Sequence, residues 1–592
     1  MMFKKINLPV IGRWFILGTV VGIVAGIGAI VFFTLLQGCS FFFMDFVVGL
    51  RVEETAGEPS LFGHSATEFK RWMVFFMPAF GGLLSGVIVY KFAPEASGHG
   101  TDGAIEAIHN KNGFIRWQVP VVKTVASAIT IGTGGSGGRE GPIAQIGAGF
   151  ASFLGRFLKL TDREKRILTA AGMGAGVGAI FRSPLAGAIF AAEVLYSSSD
   201  LEYEILLPST ITSIIAYSVF CSMYGWDPLF QTPNFSFSNP LELIGYSILG
   251  FACAIFGYLY IKVFYSVHDY FNKLDIKKYY KPVIGGFLTG VIGFFIPQSL
   301  GGGYSQIEQS MMGNLSITFI FVLIFAKILT TSFSIGSGGS AGIFGPSMVI
   351  GASVGGFVGL FLQKVIPFTV SDPGAYVVVG MAGFFAGIAS TPLSTIIMVS
   401  EMTGNYHLLV PAMWVSAMTF LLLRNYSIYR KQVNFRSDSP VHRGEFFIRV
   451  LQDIRIKDVM KTDPIVIPID MKFSDIMRFI PTTKHNSFPV VKIDGTLYGV
   501  LRFEEIREFV FEEGLENIVV AGEICDTHPE VISPGDNLAD AIEKIGFKNI
   551  ELLPVVDDPQ NGKLLGIITR RDIISVYNKE MLKQKKSQIQ EF

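Results

Sequence analysis

Long apolar stretches recur along the first 430 residues and are separated by short polar segments. Residues 14–36 and 73–90 are two examples, and neither contains a charged residue. A helix that crosses a bilayer needs about 20 mostly apolar residues. The first stretch is too long for the core of a signal peptide and lacks a cleavage site. The pattern therefore predicts an all-α polytopic membrane protein over this part of the chain, followed by a charged, soluble region.

Composition supports this prediction. Half of the 592 residues are apolar, 16% are charged and the mean hydropathy is +0.46, which is typical of a multi-pass membrane protein. The formal net charge is zero, so no nucleic-acid partner is indicated. The four cysteines lie far apart and no HExxH motif is present, so neither a metal site nor a disulfide framework is expected.

Basic residues flank the first and last apolar stretches. They are Lys4, Lys5 and Arg13 at one end, and Arg424, Arg430, Lys431 and Arg436 at the other. Because basic residues concentrate on the cytoplasmic side of membrane spans, we expect both termini and the soluble region in the cytoplasm. The expected location is the cell membrane.

The membrane part contains an internal duplication. Residues 123–148 align without gaps with residues 327–352, 204 positions later, so that Pro142 corresponds to Pro346. Residues 172–194 align with residues 380–402 at an offset of 208. Two halves, residues 73–225 and 240–425, are predicted from this repeat.

Each half carries a glycine-rich loop between apolar segments, GTGGSGGREGP at 132–142 and GSGGSAGIFGP at 336–346. Irregular backbone at membrane depth is tolerated where it is buried in protein or lines a wet cavity. Equivalent loops in two repeats indicate a substrate site near the midplane. A helix beginning at each loop's proline would point its positive end and free N–H groups at the loop. We therefore predict an anion site without a fixed cationic side chain.

Glu140 is the exception in the first loop. An ionisable residue inside a membrane is a functional candidate, and a carboxylate at a helix N-terminus can occupy an anion site until protonation releases it. The alternative is that the glycines only pack helices and that Glu140 pairs with Arg139. The duplication of both loops favours the anion site, and a nucleotide P-loop is disfavoured because no Lys-Ser/Thr follows the glycines.

The soluble part is duplicated as well. Pro464, Asp475 and Pro489 recur 65 residues later as Pro529, Asp540 and Pro554. Each copy is predicted to fold as strand, helix, strand, strand, helix, which gives an α+β tandem.

With these motifs identified, the chain resembles CLC chloride channels and transporters that carry a cytosolic pair of CBS domains. GREGP (138–142), GIFGP (342–346) and SPLAG (183–187) match the family's signatures. The resemblance implies a CLC-type inverted repeat of tilted, partly broken helices, an antiparallel homodimer in the lipid bilayer, and one chloride pathway per subunit. The expected domains are 1–432 (membrane), 433–453 (linker), 454–515 (first CBS domain), 516–582 (second CBS domain) and 583–592 (tail).

The resemblance also implies roles for individual residues. Glu140 corresponds to the gating glutamate, and Tyr429 to the family's central tyrosine, with Tyr426 as the weaker choice. The anion-binding backbone would come from the two loop motifs, at Gly138, Arg139, Gly141, Ile343 and Phe344.

Two positions depart from the family pattern. His99, in GHGTD, stands where the family has an anion-coordinating serine. It would donate a hydrogen bond to an anion, add a positive charge when protonated, or be held by neighbouring backbone. Val194 follows Glu193 where exchangers of the family usually carry an internal glutamate for protons. Valine cannot relay a proton.

These departures favour a voltage- or pH-gated chloride channel that conducts passively, with a proton-coupled chloride antiporter as the alternative. A CBS-regulated membrane enzyme, such as an intramembrane protease, is the weakest candidate because no nucleophile or metal dyad is evident. No cofactor is required by this interpretation, and the protein is not expected to be an enzyme.

The second soluble copy ends in GIITRRD (566–572), which resembles the CBS element that meets adenine nucleotides. The resemblance implies a hydroxyl contact from Thr569 and a ribose contact from Asp572, with ATP, ADP or AMP as ligand. The first copy has Arg502 and Glu505 at these positions, so at most one adenosine site is expected. The alternative is a dimerisation module that binds nothing.

Overall fold

The computed structural model describes residues 10–51, 55–63, 65–483, 485–509, 518–548, 550–558 and 562–590. The chain divides into two compact units, Met1–Val441 and His442–Phe592. Lys4 and Lys5, the end of the first predicted CBS domain at 510–515, and residues 591–592 of the predicted tail lie outside the described residues.

The first half of the membrane unit is helical. Its helices are α1 (Val10–Ser40), α2 (Met77–Phe92), α3 (Thr101–Asn110), α4 (Gln118–Gly132), α5 (Glu140–Phe157), α6 (Asp162–Ile180), α7 (Pro184–Glu193) and α8 (Tyr203–Tyr224). A π-helical turn, Phe41–Val48, continues α1, and a short 3₁₀ turn, Pro94–Ala96, precedes α3.

The second half repeats this order. Its helices are α9 (Glu242–Lys273), α10 (Lys281–Phe295), α11 (Tyr304–Met311), α12 (Ile317–Gly336), α13 (Phe344–Val365), α14 (Pro373–Ala389), α15 (Pro392–Thr403) and α16 (Leu409–Leu422). The 3₁₀ turn Pro297–Ser299 precedes α11 as Pro94–Ala96 precedes α3. In this order the first half includes α1, which lies before the predicted start of the repeat at residue 73.

Local sequence accounts for several helix starts. Thr161 and Glu164 form a reciprocal capping box at the start of α6. The Ser316 hydroxyl accepts from the Phe319 N–H at the start of α12. Asp372 caps α14, which begins with Pro373, a residue suited to the first helical position. Because caps satisfy N–H groups that no helical carbonyl reaches, they fix where each helix begins.

Glycines allow the central helices of each half to touch. In the first half α5 packs on α6, and in the second half α13 packs on α14. A Cβ on Gly147 would lie 2.2 Å from the Gly172 carbonyl oxygen, and one on Gly351 would lie 2.6 Å from that of Gly380. No side chain fits at such distances, so these glycines permit the close backbone approach typical of membrane helices.

Six helical segments of the described residues are long and apolar enough to cross a bilayer. The buried core around α4–α7 and α12–α15 is built largely from Ala, Val, Ile and Phe. The predicted polytopic helical architecture is therefore confirmed for the membrane unit.

The C-terminal unit combines helices and strands. They are α17 (Arg443–Gln452), β1 (Ile467–Pro468), α18 (Phe473–Phe479), β2 (Ser487–Val491), β3 (Leu497–Arg502), α19 (Phe503–Phe509), α20 (Ala521–Ile524), α21 (Leu538–Lys548), β4 (Leu552–Val556), β5 (Leu564–Thr569) and α22 (Arg570–Gln590).

The two copies in this unit share one sheet pattern. Strand β2 pairs antiparallel with β3, opposing Pro489 to Val500, and β4 pairs antiparallel with β5, opposing Pro554 to Ile567. The first copy matches the predicted strand, helix, strand, strand, helix order, with β1 parallel to β2. In the second copy the first predicted strand is reduced to a single parallel bridge at Ile532.

The two copies exchange their leading segments. Leu451 and Ile456 belong to the core of the second copy, while Ala521 and Ile524 belong to the core of the first. The Lys461 N–H donates to the Ile567 carbonyl oxygen at 2.9 Å. The predicted domain boundaries, 454–515 and 516–582, stay a prediction. The segment that precedes each copy in the chain packs in the core of the other copy.

Candidate functional site

The two glycine loops pair with each other inside the membrane unit. The Gly138 N–H donates to the Gly342 carbonyl oxygen at 2.6 Å, and the Gly342 N–H donates back to Gly138 at 2.7 Å. All residues of GREGP and GIFGP are buried. The duplicated motifs thus meet, which places the starts of α5 and α13 side by side.

Both helices begin two residues earlier than predicted, at Glu140 and Phe344 rather than at Pro142 and Pro346. Each proline is the third helical residue. Its missing N–H costs nothing there, because the first four N–H groups of a helix have no helical partner. The predicted convergence of two helix N-termini is present.

The Glu140 carboxylate lies between these two N-termini. It is 3% exposed, and its Oε2 accepts from the Gly345 N–H of α13 at 3.1 Å. Its Oε1 has no hydrogen-bond partner among the described residues. A negative charge here is stabilised by two helix dipoles.

Arg139 is not the partner of Glu140, so the predicted alternative of an Arg139–Glu140 pair is wrong. The Arg139 guanidinium forms a salt bridge with Glu58 and lies 4.9 Å from the centre of the Tyr304 ring. The direct ionic partner of the guanidinium is therefore Glu58, and Arg139 acts on Glu140 only as a nearby charge.

The remaining loop residues contribute backbone rather than side chains. The Ile343 side chain is buried, and the Phe344 ring packs 4.1 Å from the Phe385 ring centre. Gly138 differs from the prediction, because its N–H is already donated to Gly342 and is not free for an anion. Gly345, which the sequence analysis missed, supplies the N–H that Glu140 meets. Its equivalence to Gly141 in the repeat was the available signal.

His99 lies beside this pair of helix starts. A Cβ on Gly141 would lie 2.0 Å from the His99 carbonyl oxygen, so the His99 backbone touches the first turn of α5. The His99 ring is 5.5 Å from the Tyr429 ring. The structure therefore brings together His99, Glu140 and Tyr429 with the N-terminus of α13.

Of the two candidate tyrosines, Tyr429 is at the site. Tyr429 is 2% exposed, whereas Tyr426 is 46% exposed and packs on Tyr258. The choice of Tyr429 over Tyr426 is therefore supported by burial and by its proximity to His99.

A buried lysine holds the His99 loop in place. Lys123 of α4 is fully buried, and its Nζ donates to the Ala96 and Gly98 carbonyl oxygens at 3.0 and 2.7 Å. Lys327 of α12 does the same in the second half, donating to Ser299 and Gly301 at 3.1 and 2.8 Å.

These lysines reveal a third pair of equivalent loops that the sequence analysis missed. A lysine binds SGHGTD (97–102) and LGGGYS (300–305) in the same way. With the two loops aligned on these contacts, Gly302 corresponds to His99. The Gly-x-Gly spacing shared by the two segments was the signal that could have identified them.

The loop LGGGYS (300–305) lines a cavity. A space of about 540 Å³ is lined by Gly301, Gly302, Gly303 and Tyr304 together with Arg139. The Tyr304 hydroxyl is buried and has no partner among the described residues. This cavity reaches the first glycine loop at Gly137 and Arg139, so it approaches the paired helix starts.

Val194 occupies the end of α7 and is fully buried. Its carbonyl oxygen accepts from the Gln432 side chain at 3.0 Å. Neighbouring Glu193 is not free either: its carboxylate accepts from the N–H groups of Leu393 and Ser394, both at 2.8 Å. Both residues therefore take part in hydrogen bonds that hold neighbouring segments together.

The partner of Glu193 in the repeat has the reciprocal contact. The Glu401 carboxylate accepts from the N–H groups of Leu185 and Ala186 at 3.3 and 3.0 Å. Each acid at the end of α7 or α15 thus caps the start of the other helix, where carboxylates are favoured by the helix dipole. The sequence pairing of Glu193 with Glu401 has a physical basis in this exchange.

In the C-terminal unit, Thr569 and Asp572 lie together at the start of α22. The Thr569 hydroxyl donates to Asp572 Oδ2 at 2.5 Å, and Lys461 Nζ lies 3.0 Å from Asp572 Oδ1. Burial would raise the pKa of Asp572, but these hydrogen bonds outweigh it and hold that pKa below its ordinary value.

The first copy has a different charge balance at the same place. The Arg502 N–H donates to Glu505 Oε2 at 2.9 Å, as the Thr569 N–H donates to Asp572. Burial raises the pKa of Glu505 above its ordinary value although Arg502 opposes the shift. The capping geometry is shared, but the hydroxyl that accompanies Asp572 is absent.

Comparisons with known proteins agree with this arrangement. A sequence model of the family described as voltage gated chloride channel matches residues 81–424, and the CBS domain matches residues 456–512 and 521–579.

Two curated relatives and one solved structure illustrate the similarity. The H(+)/Cl(-) exchange transporter ClcA of Vibrio parahaemolyticus is 31% identical, with the alignment covering 55% of this chain and 70% of that protein. The putative chloride channel protein ClcB-like of Ralstonia nicotianae is 27% identical, covering 58% and 80%. The crystal structure of a eukaryotic CLC transporter superposes with a TM-score of 0.57 at 19% identity, covering 95% of this chain and 98% of that one.

Proposed function

The chain belongs to the voltage gated chloride channel family, and from this premise we propose that it exchanges chloride for protons across a membrane. Membership confirms the expected fold, a mostly helical CLC-type membrane unit followed by CBS domains. Its members transport chloride, which makes chloride the expected cargo.

The comparisons favour the exchanger over the passive channel that Val194 suggested. Curated relatives such as the ClcA protein of Vibrio parahaemolyticus are named H(+)/Cl(-) exchange transporters. The internal proton glutamate missing at Val194 therefore needs a substitute elsewhere in the chain.

One observation carries the proposal. The buried Glu140 carboxylate accepts from the Gly345 N–H exactly where the starts of α5 and α13 meet. In its ionised form it competes with chloride for the same N–H groups. Protonation removes its charge, weakens its hold on Gly345, and opens the position to chloride. One site then alternates between a proton-free carboxylate and a protonated acid beside an anion.

Other groups complete the proposed site. The backbone N–H groups of Arg139, Gly141, Ile343 and Phe344 lie in the first turns of two helices and favour an anion. Tyr429, which interacts electrostatically with Glu140, and the His99 ring, 5.5 Å from the Tyr429 ring, complete the proposed site. The proposed ligands among the described residues include no fixed cationic side chain, which allows chloride to be released as well as bound.

Assembly and orientation belong to the proposal too. The family resemblance supports a homodimer with one pathway per subunit. The basic residues that flank the spans, including Arg13 and Arg430, favour cytoplasmic termini and cytoplasmic CBS domains. Thr569 and Asp572 support an adenine-nucleotide site in the second CBS domain.

The test is the reversal potential of purified protein in planar bilayers or vesicles with symmetric chloride and a proton gradient. Coupled exchange shifts the reversal potential away from zero. Glu140→Gln should abolish this shift while anion flux persists, because a permanently neutral side chain neither carries protons nor competes as an anion.

Glu401→Gln is the matched control, because it neutralises a part-buried carboxylate that caps the start of α7. It should keep the shift. A wild-type reversal potential that stays at zero would contradict exchange and restore the passive channel.

A further inference from the structure

The His99 ring has one nitrogen with a partner and one without. Its Nε2 lies 3.3 Å from Asp102 Oδ2, while its Nδ1 is buried and has no hydrogen-bond partner among the described residues. The residue is 8% exposed. A buried polar atom without a partner is costly, so this nitrogen needs a ligand that these residues do not provide.

The surroundings of Asp102 fix which ring nitrogen carries a hydrogen. Asp102 Oδ1 accepts from the Lys431 N–H at 3.1 Å, so this carboxylate acts as an acceptor on both oxygens. A carboxylate oxygen 3.3 Å from Nε2 favours the neutral tautomer that carries its hydrogen on Nε2. In that form Nδ1 carries only a lone pair, which repels an anion.

Nδ1 can donate to an anion only when the ring carries two protons. The imidazolium would keep its Nε2 contact with Asp102 as an ion pair and gain a hydrogen on Nδ1, in a ring whose centre lies 5.5 Å from that of Tyr429. A serine hydroxyl, by contrast, donates in its neutral state at any physiological pH. Replacing serine by histidine here thus changes when the position can bind an anion.

We infer that His99 is an anion ligand that acts only in its protonated form, so that chloride binding at this position takes up one proton at Nδ1. Asp102 is the positioning residue that sets the ring's hydrogen and neutralises its charge. The inference rests on the proposed anion transport and adds to it a second proton-linked group besides Glu140. It concerns binding, and it holds for a channel as well as for an exchanger.

Other charged or titratable groups face His99 from each neighbouring element. Lys123 of α4 binds the carbonyl of Gly98 next to it, and His268 of α9 interacts with it electrostatically. Among the described residues, the groups next to His99 are Asp102 on α3, Lys123 on α4, His268 on α9 and Tyr429 after α16, while Glu140 interacts with Tyr429 and Arg430 interacts with His268. Lys123 is already engaged with two carbonyls, and Asp102 is the acid in direct contact with the ring.

The sign of the expected pH effect follows from linkage. Chloride bound to the imidazolium favours protonation, and protonation favours chloride to the same extent. Loss of the ring proton removes the Nδ1–H donor, so chloride affinity should fall as pH rises, by up to about tenfold per pH unit for one linked proton.

The experiment measures chloride binding to the full-length protein in detergent by isothermal titration calorimetry between pH 5.5 and 8.5. All variants carry Glu140→Gln, which removes the other titrating group at the site. Titrations in buffers of different ionisation heat give the number of protons taken up per chloride. The Glu140→Gln protein should lose affinity with rising pH and take up close to one proton.

Three further variants locate that proton. Adding His99→Ser should abolish proton uptake and make the chloride affinity independent of pH, with binding retained through the hydroxyl. Adding His268→Gln, the matched histidine control, should leave the uptake in place. Adding Asp102→Asn should move the uptake to lower pH, because the imidazolium loses its counter-charge.

Proton uptake that survives His99→Ser, or that disappears with His268→Gln, would overturn the inference. So would pH-independent chloride binding in the Glu140→Gln protein itself, a result that does not require the His99 variant to fold. Failure of exchange alone would appear in the reversal potential and leave this binding result unchanged. Absence of chloride binding at every pH would contradict both proposals.

Discussion

The two halves of the membrane unit hold their loops in the same way but present different side chains. Lys123 and Lys327 each bind two carbonyls of the loop beside them. On these matching frames the first half carries His99 and Glu140, whereas the second carries Gly302 and Phe344.

The shared features are those that satisfy the backbone. Irregular backbone in a membrane needs internal donors and acceptors, and that need is the same in both halves, so lysines, capping acids and contact glycines recur. The two compared positions differ between the halves. A symmetric frame thus brings together two helix N-termini, while the first half has ionisable side chains, His99 and Glu140, where the second has Gly302 and Phe344.

The largest expected effect comes from the buried lysines. Lys123→Met and Lys327→Met each remove the amine donor of two buried carbonyls, although those of Ala96 and Ser299 keep a hydroxyl donor and that of Gly301 keeps the Gly137 N–H. Each variant should therefore lower the stability of the membrane unit by about 1–3 kcal/mol. Thermal unfolding in detergent, followed by tryptophan fluorescence, measures both losses.

Chloride affinity then separates the two lysines. Only Lys123 holds the His99 loop, so Lys123→Met should weaken chloride binding by about tenfold, or roughly 1.4 kcal/mol, whereas Lys327→Met should change it little. Equal losses of affinity in both variants would show that the halves contribute alike to the site.

A smaller effect is expected from the capping acids. Glu193→Gln and Glu401→Gln each replace a carboxylate that accepts two N–H groups by an amide that can satisfy only one, which costs about 1–2 kcal/mol. Glu193 is the more buried of the pair and also accepts from the Ser394 hydroxyl. Glu193→Gln should therefore lower the melting temperature more.

If Glu193 only caps α15, its neutral variant should keep the reversal potential of the wild type. A lost shift in Glu193→Gln, with a normal shift in Glu401→Gln, would instead make Glu193 part of the proton route.

The smallest effect concerns the second duplication, in the CBS pair. The lowered pKa of Asp572 means that its ionised form stabilises the fold above the unfolded pKa of about 3.9, and this contribution is lost as pH falls through the folded value. The raised pKa of Glu505 has the opposite sign, so ionisation of Glu505 reduces stability as pH rises.

Hydrogen exchange of the full-length protein can compare the two acids. At neutral pH, Asp572→Asn should increase exchange in β5 and the start of α22, whereas Glu505→Gln should leave β3 unchanged or better protected. Because both carboxylates are partly exposed, solvent screens the differences. Faster exchange in β3 of Glu505→Gln would contradict the assigned signs.

Much of the site was predictable because the chain is duplicated. The gap-free alignment of residues 123–148 with 327–352 identified both glycine loops, and Glu140 stood out as the ionisable residue without a counterpart. The choice of Tyr429 depended on the family motif, and its burial supports that choice. The choice between a channel and an exchanger was less predictable from the sequence. Val194 alone favoured the channel, whereas the names of the curated relatives favour the exchanger.

Other features depended on contacts between distant residues. The sequence pairs Glu193 with Glu401, but nothing in it indicates that each acid caps the other's helix. The pairing of Arg139 with Glu58, 81 positions apart, was equally invisible. Exchange of leading segments between the CBS copies is another example, because sheet pairing does not follow chain order.

The order of residues was enough to predict the membrane-spanning helical class, the two duplications and the glycine loops, because periodicity and repeats are local properties of the chain. The contact between Gly345 and Glu140, and the His99 ring with one nitrogen near Asp102 and the other without a partner among the described residues, appeared only in the folded chain. Those contacts exist because helices from both halves converge, and hydrogen bonding at a buried point depends on which elements meet there.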